Sequence, residues 1–507
     1  MTPSLLIRYK DKIAGVLSCY DRVVLYGTLP GLCYAAGMAE YLSAQGIRLF
    51  DYPRWAEPLR EAIRHNAESV AREQGVEIEF VRRAKAVRKE DLIAKVLARR
   101  GDHPGLVHVL SAMEPCETYK PWHDKKTGRT SLRPDSGKCL HYYFYFIDDK
   151  LGLCYLRVPT WAPFRLQFYY NGHNELAAKL RRHGISFTQR DNAFVAIEDF
   201  TVAQQLADQT RVEALHRALD SFALKYCPVL ASLGVSYHWS IMQCEYATDI
   251  VFHRQDELQP IYETLVRTAI HAVKPEHVAT FLGRKLDERY RDELGNDFST
   301  RIQGTRIRHH MGPASIKMYD KFSLVLRIET TANNVGFFKH YRKVEQRDGS
   351  AAFKLAPVKK SIYSLDPDLR DLLAAANRRY LEFLSGLDDP SAGIKVLDQV
   401  TKPALDQGHR YKGFNFFSEP DQSVFHALVR GEFVISGVRN KDLRSYLPDK
   451  NSGQIGRILK RLRCHGLLKK IGRAYKYYLT DLGRQVALTG LKLKELFLIP
   501  ALAHTAG

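Results

Sequence analysis

The sequence lacks the long apolar runs of secreted and membrane proteins. Its first segment, MTPSLLIRYKDKIAGVL, holds no continuous apolar core of signal-peptide length, and no stretch approaches the roughly 20 apolar residues of a membrane span. A cytoplasmic protein with no membrane partner is expected. The 507 residues include only eight cysteines, widely spaced and without a CxxC pair. That excludes a zinc ribbon and a secreted disulfide framework, and leaves reduced, mostly buried thiols. There is no GxxxxGK[ST], hence no sign of a nucleoside-triphosphate motor. Repeats of roughly 20 to 50 residues, heptads and low-complexity tracts are missing, which removes solenoids and coiled coils. Acid is short relative to base: 56 Asp+Glu stand against 76 Lys+Arg, a formal net charge of +20. This favours a polyanionic partner, nucleic acid first, although an anionic membrane surface or a merely soluble basic protein would share it.

What is present reads as a multi-domain α+β chain with a mixed or antiparallel sheet core and a C-terminal winged helix-turn-helix domain. At 45% hydrophobic residues each domain can bury a core. Residues 1–110 mix short apolar runs with helical stretches at Glu57–Gln74 and Lys89–Arg100 and read as a small α/β unit. Residues 111–225 begin with a long basic loop, Cys116 to Lys138, followed by an aromatic hairpin and a helix. Tyr142, Tyr143, Tyr145, Tyr155, Phe168, Tyr169 and Tyr170 would stack unpaired bases or simply pack a core. Residues 226–345 alternate strand, helix, a Gly-, Arg- and His-rich loop at 283–313 and a second hairpin. Residues 346–418 form a helical connector, with Asp406 to Ser418 as interdomain linker, and 419–507 the last domain.

In that last domain Asp421–Val429 is a short helix, Asn440 caps NKDLRSYL, and a third helix follows Asn451-Ser452. Ile455, Ile458, Leu459 and Leu462 point to a core, leaving Arg457, Lys460, Arg461 and Arg463 outside. Arg473 lies at the tip of a basic hairpin flanked by Lys469, Lys470 and Lys476, and a new helix starts after Asp481. Residues 451–480 carry these eight bases and no acid before Asp481. In duplex DNA the third helix would enter the major groove and the hairpin bases would sit on phosphates. The stretch RLRCHGLLKKIGRAYKYYLTDLGR resembles the winged helix of MarR-type regulators. Docking to protein is the alternative use of such a module.

In WSIMQCEYATDIVF, alternation puts Gln243, Glu245 and Asp249 on one face and Met242, Cys244, Tyr246 and Ile250 on the other. Gln243 and Glu245 are close enough to share an ion, whereas Glu245 and Asp249 stand roughly 13 Å apart unless a bulge bends the strand. A further ligand is needed, and His309, His310 and Glu329 are the candidates. Oxygen-rich ligation suits Mg²⁺ or Mn²⁺; pairing with arginines on a solvated face is the plainer alternative. In SIKMYDKFSLVLRIET, Ser315, Lys317, Tyr319 and Lys321 share a face with Arg327 and Glu329. A turn pairing Asp320 with Leu324 would set Tyr319 against Val325, Lys317 against Arg327 and Ser315 against Glu329. Tyr319 is a candidate nucleophile on a phosphodiester, or a tyrosine that closes a hairpin.

The order QCEYATD, then SIKMYDK, then LRIET, over residues 237–335, resembles rolling-circle replication initiators of plasmids and filamentous phages. The chain departs from their pattern in having Glu245 where Asp is usual and in lacking an H-hydrophobe-H pair. By that resemblance Glu245, Asp249 and Glu329 would be metal or acid sites, and Lys317 and Lys321 would hold phosphate. The whole chain is also similar to a multi-copy, mobile-element-like bacterial family through TWAPFRLQFYYNGH and MYDK...LRIET. Three functions follow: metal-dependent DNA nicking or strand transfer, a non-catalytic winged-helix regulator with a large oligomerisation or sensing region, and an RNA-binding interaction protein. Expected partners are duplex DNA and also single-stranded DNA, and a homodimer is left open. Asn171-Gly172-His173 reads as a strand end and helix start, and Asp191-Asn192 as a turn.

Overall fold

The computed structural model describes residues 3–82, 88–285, 294–301, 304–346, 349–387, 390–430, 433, 437–470, 475–499 and 502. They form two compact units, Met1–Asp388 and Asp389–Gly507. No described helix is long and apolar enough to cross a membrane.

One eleven-stranded sheet organises the first unit. Its strands are β1 Ile13–Thr28, β2 Ile78–Phe80, β3 Gly105–Asp124, β4 Arg129–Asp148, β5 Gly152–Pro159, β6 Leu166–Asn171, β9 His238–Phe252, β10 Leu294–Arg301, β11 Gly304–Met311, β12 Ala314–Lys321 and β13 Val325–Ala332; β7 Phe187–Arg190 and β8 Ala193–Ile197 form a separate hairpin. The order is β10-β11-β12-β13-β9-β1-β6-β5-β4-β3-β2, antiparallel throughout except for the β2–β3 pair. Strands from 1–110, 111–225 and 226–345 thus share one sheet, with β1 at its middle between β6 and β9. The three segments expected as separate domains are one, because each is short of the partner strands that complete it.

Each face of the sheet is covered. On one, Tyr246, Ile250, Ile316, Met318 and Ile328 join a core with Leu373 and Tyr380 of the helix Arg370–Leu387. On the other, Leu17 packs with Leu176 and Leu180 of the helix Gly172–Arg182, Phe194 of β8 and Leu206. The segment 116–138, expected as a loop, lies on a β3–β4 ribbon whose turn is confined to 125–128. Only Tyr119 and Leu132 of that ribbon are buried, so apolar alternation is too sparse to reveal the strands. The expected loop at 283–313 contributes β10 and β11, with 286–293 and 302–303 outside the described residues. The tyrosine-rich strands are core: Tyr142, Tyr143, Tyr145, Tyr155, Phe168 and Tyr170 are all buried, which removes them as a base-stacking surface.

The second unit starts before the expected boundary at 419. Val400 and Phe414 lie in its core with Phe425, Leu459 and Leu462, so the polar stretch 406–418 is structure and not linker. Helices Glu419–Leu428, Asn440–Tyr446 and Ser452–Cys464 are followed by the antiparallel strands Leu468–Lys470 and Tyr477–Leu479 and by the helix Asp481–Lys492. Thr480 caps that last helix by accepting from Gly483 N, and a Cβ at Gly483 would lie 2.1 Å from the Leu467 carbonyl oxygen. Thr480 and Gly483, in the TDLG of that stretch, therefore report a cap and a close approach.

Candidate functional site

The site is built on β9, β13, β12 and β1. Across β9 and β13, Thr331 faces Glu245 and Glu329 faces Ala247, so the two glutamates are diagonal neighbours. Across β12 and β13, Lys317 faces Glu329, Tyr319 faces Arg327 and Ser315 faces Thr331. This register is displaced by two residues from the expected one. The turn at 322–324, with positive φ at Phe322 and Ser323, makes Lys321 and Val325 the closing pair. A two-residue displacement leaves every side chain on its face, so the face survives and only the partners change.

The register between β1 and β9 skips one residue between the pairs Tyr20–Tyr246 and Arg22–Glu245. Asp21 is the extra residue of this bulge, and a bulge re-aims its side chain. One carboxylate oxygen each of Asp21, Glu245 and Glu329 lies within 4.8 Å of the others, an arrangement that could hold a metal ion. Lys317 Nζ bridges the two glutamates at 3.0 Å (Glu245 Oε1) and 2.6 Å (Glu329 Oε1), and Tyr319 donates its hydroxyl to Glu329 Oε2 at 2.6 Å. Thr331 Oγ1 donates to Glu245 at 3.2 Å, and on the same face the buried Ser315 Oγ has no hydrogen-bond partner among the described residues.

Asp249, expected as a metal ligand, is instead tied to Arg327, whose Nε and Nη2 each donate to it at 2.6 Å. The two face each other in register and are fully buried. Asp249 is not among the carboxylates whose oxygens lie within 4.8 Å of one another. Burial works against the ionised forms of Asp249 and Asp21, but Arg327 outweighs it and holds both below the usual carboxylate range. His309 is corrected as well. It lies one residue out of phase with Lys317, on the opposite face, where its Nε2 meets the Tyr380 hydroxyl at 3.0 Å and burial lowers its pKa to about 4. Lys321 Nζ, expected to hold phosphate, contacts Asp191 at 3.2 Å and also the Asn192 side chain.

Charge is left over at this face. Burial opposes the ammonium of Lys317, and Glu329 and Glu245 keep it charged. Burial and Arg327 push His173 toward neutrality, but Cys19, Asp21 and Asp249 outweigh them and hold its pKa well above the usual imidazole value. Its Nδ1 lies 3.0 Å from Asp21 Oδ1 and its Nε2 3.4 Å from Asp249 Oδ2. Among the described residues Asp21, Glu245, Asp249 and Glu329 face Lys317, Arg327 and His173, while Lys321, near Asp21, is also paired with Asp191. The excess is felt at Glu245, whose pKa is raised by burial and next by Glu329.

Sequence reasoning passed over Asp21, Asn171, His173 and Asn192. Asn171 caps the helix Gly172–Arg182 as expected, but its Nδ2 also donates to Asp21 at 3.2 Å, and Asn192 Nδ2 donates to Asp21 at 2.7 and 2.8 Å. The signal within reach was the coincidence of Asn, Gly and His. A Cβ at Gly172 would lie 2.1 Å from the Tyr20 carbonyl oxygen, so the glycine lets the helix start against the bulge.

In the second unit the eight bases do not form one free surface. Arg461 is buried: it donates to Asp421 at 2.7 and 3.0 Å and to the carbonyls of Lys412 and Gly413, and it lies over Phe414. Asp406, from a hairpin distant in sequence, lies 3.6 Å from Lys460 and 3.5 Å from Arg463. Arg457, Lys469 and Lys470 are exposed, Lys476 is half-buried, and Arg473 lies outside the described residues. No family model, curated protein or solved structure matches the chain.

Proposed function

We propose that the chain processes DNA, with a divalent ion at Asp21, Glu245 and Glu329 and a C-terminal winged helix that holds duplex DNA. The observation that carries the reading is the Tyr319 hydroxyl at 2.6 Å from Glu329, beside a lysine and two further carboxylates on one sheet face. Three oxygen ligands suit Mg²⁺ or Mn²⁺. Such an ion, once bound, supplies the positive charge that polarises a phosphodiester. Tyr319 supplies the nucleophile: its Oη bonds to phosphorus, the bond to a deoxyribose oxygen breaks, and the departing oxygen takes a proton. Glu329 Oε2 accepts the phenolic proton. Burial, and then Glu329, hold that phenol well above its ordinary pKa, so it stays neutral until Glu329 takes the proton, a transfer that a bound cation would favour. Lys317 faces the charge that develops on the non-bridging oxygens.

The C-terminal reading is supported by the order of three helices, a short hairpin and a fourth helix, and by Arg457, Arg463, Lys469 and Lys470 on its surface. One observation favours a second reading, a regulator without catalysis: Lys317 already contacts both glutamates, as a purely structural cation would.

Nicking of supercoiled and single-stranded DNA, assayed with Mg²⁺, Mn²⁺ or chelator, separates the two. The catalytic reading expects metal-dependent nicks, their loss in Glu329→Gln, and a phosphotyrosyl adduct that disappears in Tyr319→Phe. Nicking that survives Tyr319→Phe but not Glu329→Gln makes water or another tyrosine the nucleophile. No nicking by wild type, with duplex binding intact, leaves the regulator.

A further inference from the structure

The β3–β4 ribbon runs on past the sheet. β4 pairs with β5 only from His141 onward, and β2 pairs only with Val109–Ser111 of β3. Beyond them Glu114–Asp124 and Arg129–Cys139 pair with each other alone among the described residues, a two-stranded arm about 33 Å long. It is anchored well past its middle: on one face Tyr119 and Leu132 are buried and Tyr119 donates to the Leu32 carbonyl, and Thr118 accepts from Trp161 Nε1, so that Trp122–Asp124, the turn and Arg129–Ser131 form the outer end. The other face carries Lys120, Trp122, Arg129 and Arg133; Trp122 is 44% exposed, with Arg133 over its ring at 4.1 Å.

The arm holds six bases, Lys120, Lys125, Lys126, Arg129, Arg133 and Lys138, against four acids, of which Glu114 and Glu117 pair with Lys89 and Arg165 outside it and leave Asp124 and Asp135. Both acids are used within the arm. Asp124 accepts from Lys126 N to shape the turn, and Asp135 pairs with Lys120 at 3.3 Å. Lys125, Lys126 and Arg129 are exposed at the tip with no acidic partner among the described residues.

We propose that this arm is a second DNA-binding element that lies in a groove of duplex DNA. Pro115, Pro121 and Pro134 sit on its strands, and prolines on open strand edges oppose the addition of another strand, so a protein partner joining by β-pairing does not fit. A two-stranded ribbon matches the B-DNA major groove, whereas the deep, narrow major groove of A-form RNA shuts it out. The arm is remote in sequence from the metal face and rests only on the nucleic-acid half of the function proposed above.

The test is fluorescence anisotropy of the full chain with a labelled DNA duplex across a salt series. Lys125→Ala, Lys126→Ala and Arg129→Ala are combined in one variant, and thermal melting checks its fold. Each phosphate contact removed lowers the slope of log affinity against log salt by about 0.9, so the triple variant should lose a slope of about 2 to 3 while its melting is unchanged. The charge-conserving Lys125→Arg, Lys126→Arg, Arg129→Lys variant should bind like wild type. A wild-type slope in the alanine variant, with the slope lowered in Arg457→Ala, Arg463→Ala, overturns the arm and leaves the winged-helix reading standing. A wild-type chain that binds no duplex overturns both. Tighter binding to double-stranded RNA, with the loss seen only there, overturns the assignment to DNA.

Discussion

Both units are built around a buried arginine that clasps an aspartate with two nitrogens, and they use it differently. In the second unit Arg461 and Asp421 form a closed set: the guanidinium also satisfies the carbonyls of Lys412 and Gly413, and Asn415 N donates to Asp421. In the first unit Arg327 neutralises Asp249 and reaches Asp21 at 3.5 Å, yet Glu245 and Glu329 remain with only Lys317 between them. A closed pair marks architecture. Two largely buried carboxylates that share one cation mark a place where another cation or a substrate proton belongs.

The largest effects should come from breaking the two pairs. Arg327→Ala and Arg461→Ala each leave a buried carboxylate without its cation and should each cost about 3–5 kcal/mol, read as a shift in the urea midpoint of the corresponding unit. The double replacements separate them. Arg461→Met with Asp421→Leu should recover most of the loss, because an apolar pair can replace a closed ionic one. Arg327→Met with Asp249→Leu should not, because Asp21 keeps its charge and loses Arg327, and His173 loses Asp249. Equal recovery in both units would show that the first cluster is as closed as the second.

Next in size is Gly172→Ala. The added methyl would press on the Tyr20 carbonyl at the bulge, and overpacking against backbone should cost up to about 3 kcal/mol in thermal or urea unfolding. This glycine shows what could be read from the sequence and what could not. Alternation placed Glu245, Lys317, Tyr319, Arg327 and Glu329 on one face, and a register displaced by two residues did no harm to it. The helix Ser452–Cys464 and its Asn451 cap were equally legible, being local. Asp21 was not, because a bulge breaks the period of two that the reading relies on, and nothing within β1 announces it. Asp249 and His309 failed for related reasons: the partner that claims Asp249 lies 78 residues away, and the strand that turns His309 to the opposite face looked like a loop. Arg461 looked exposed because helical spacing does not foresee an aspartate that comes from another helix.

Glu245→Gln sharpens the contrast further, through pH and metal together. The folded pKa of Glu245 lies above its unfolded value, so its contribution to stability is intact below the unfolded pKa, near 4.3, and is lost as pH rises through the folded one. Without metal, Glu245→Gln should therefore melt higher than wild type at pH 7, with the gain gone near pH 4. With Mg²⁺ or Mn²⁺ the order should reverse. An ion at about 100 times its dissociation constant stabilises wild type by about 2.7 kcal/mol, and the variant forgoes this. Differential scanning fluorimetry across pH and metal concentration reads both arms. A variant that responds to metal as wild type does would take Glu245 out of the ligand set.

The smallest expected effect is on the surface of the second unit, at Asp406→Asn. Asp406 lies near Lys460 and Arg463 with all three side chains partly exposed, and such ion pairs are screened and contribute little, so melting should move by no more than about 0.5 kcal/mol. Binding should respond in the opposite sense. If the helix Ser452–Cys464 faces the phosphate backbone, this aspartate is a like charge at the interface, and removing it should tighten duplex binding about twofold at low salt. The gain should fade toward 1 M salt, where the screening length is about 3 Å. Anisotropy titrations at two salt concentrations decide it. Unchanged affinity beside lowered stability would mean that the Ala404–Tyr411 hairpin only braces the helix, and that the unit presents another face to its partner.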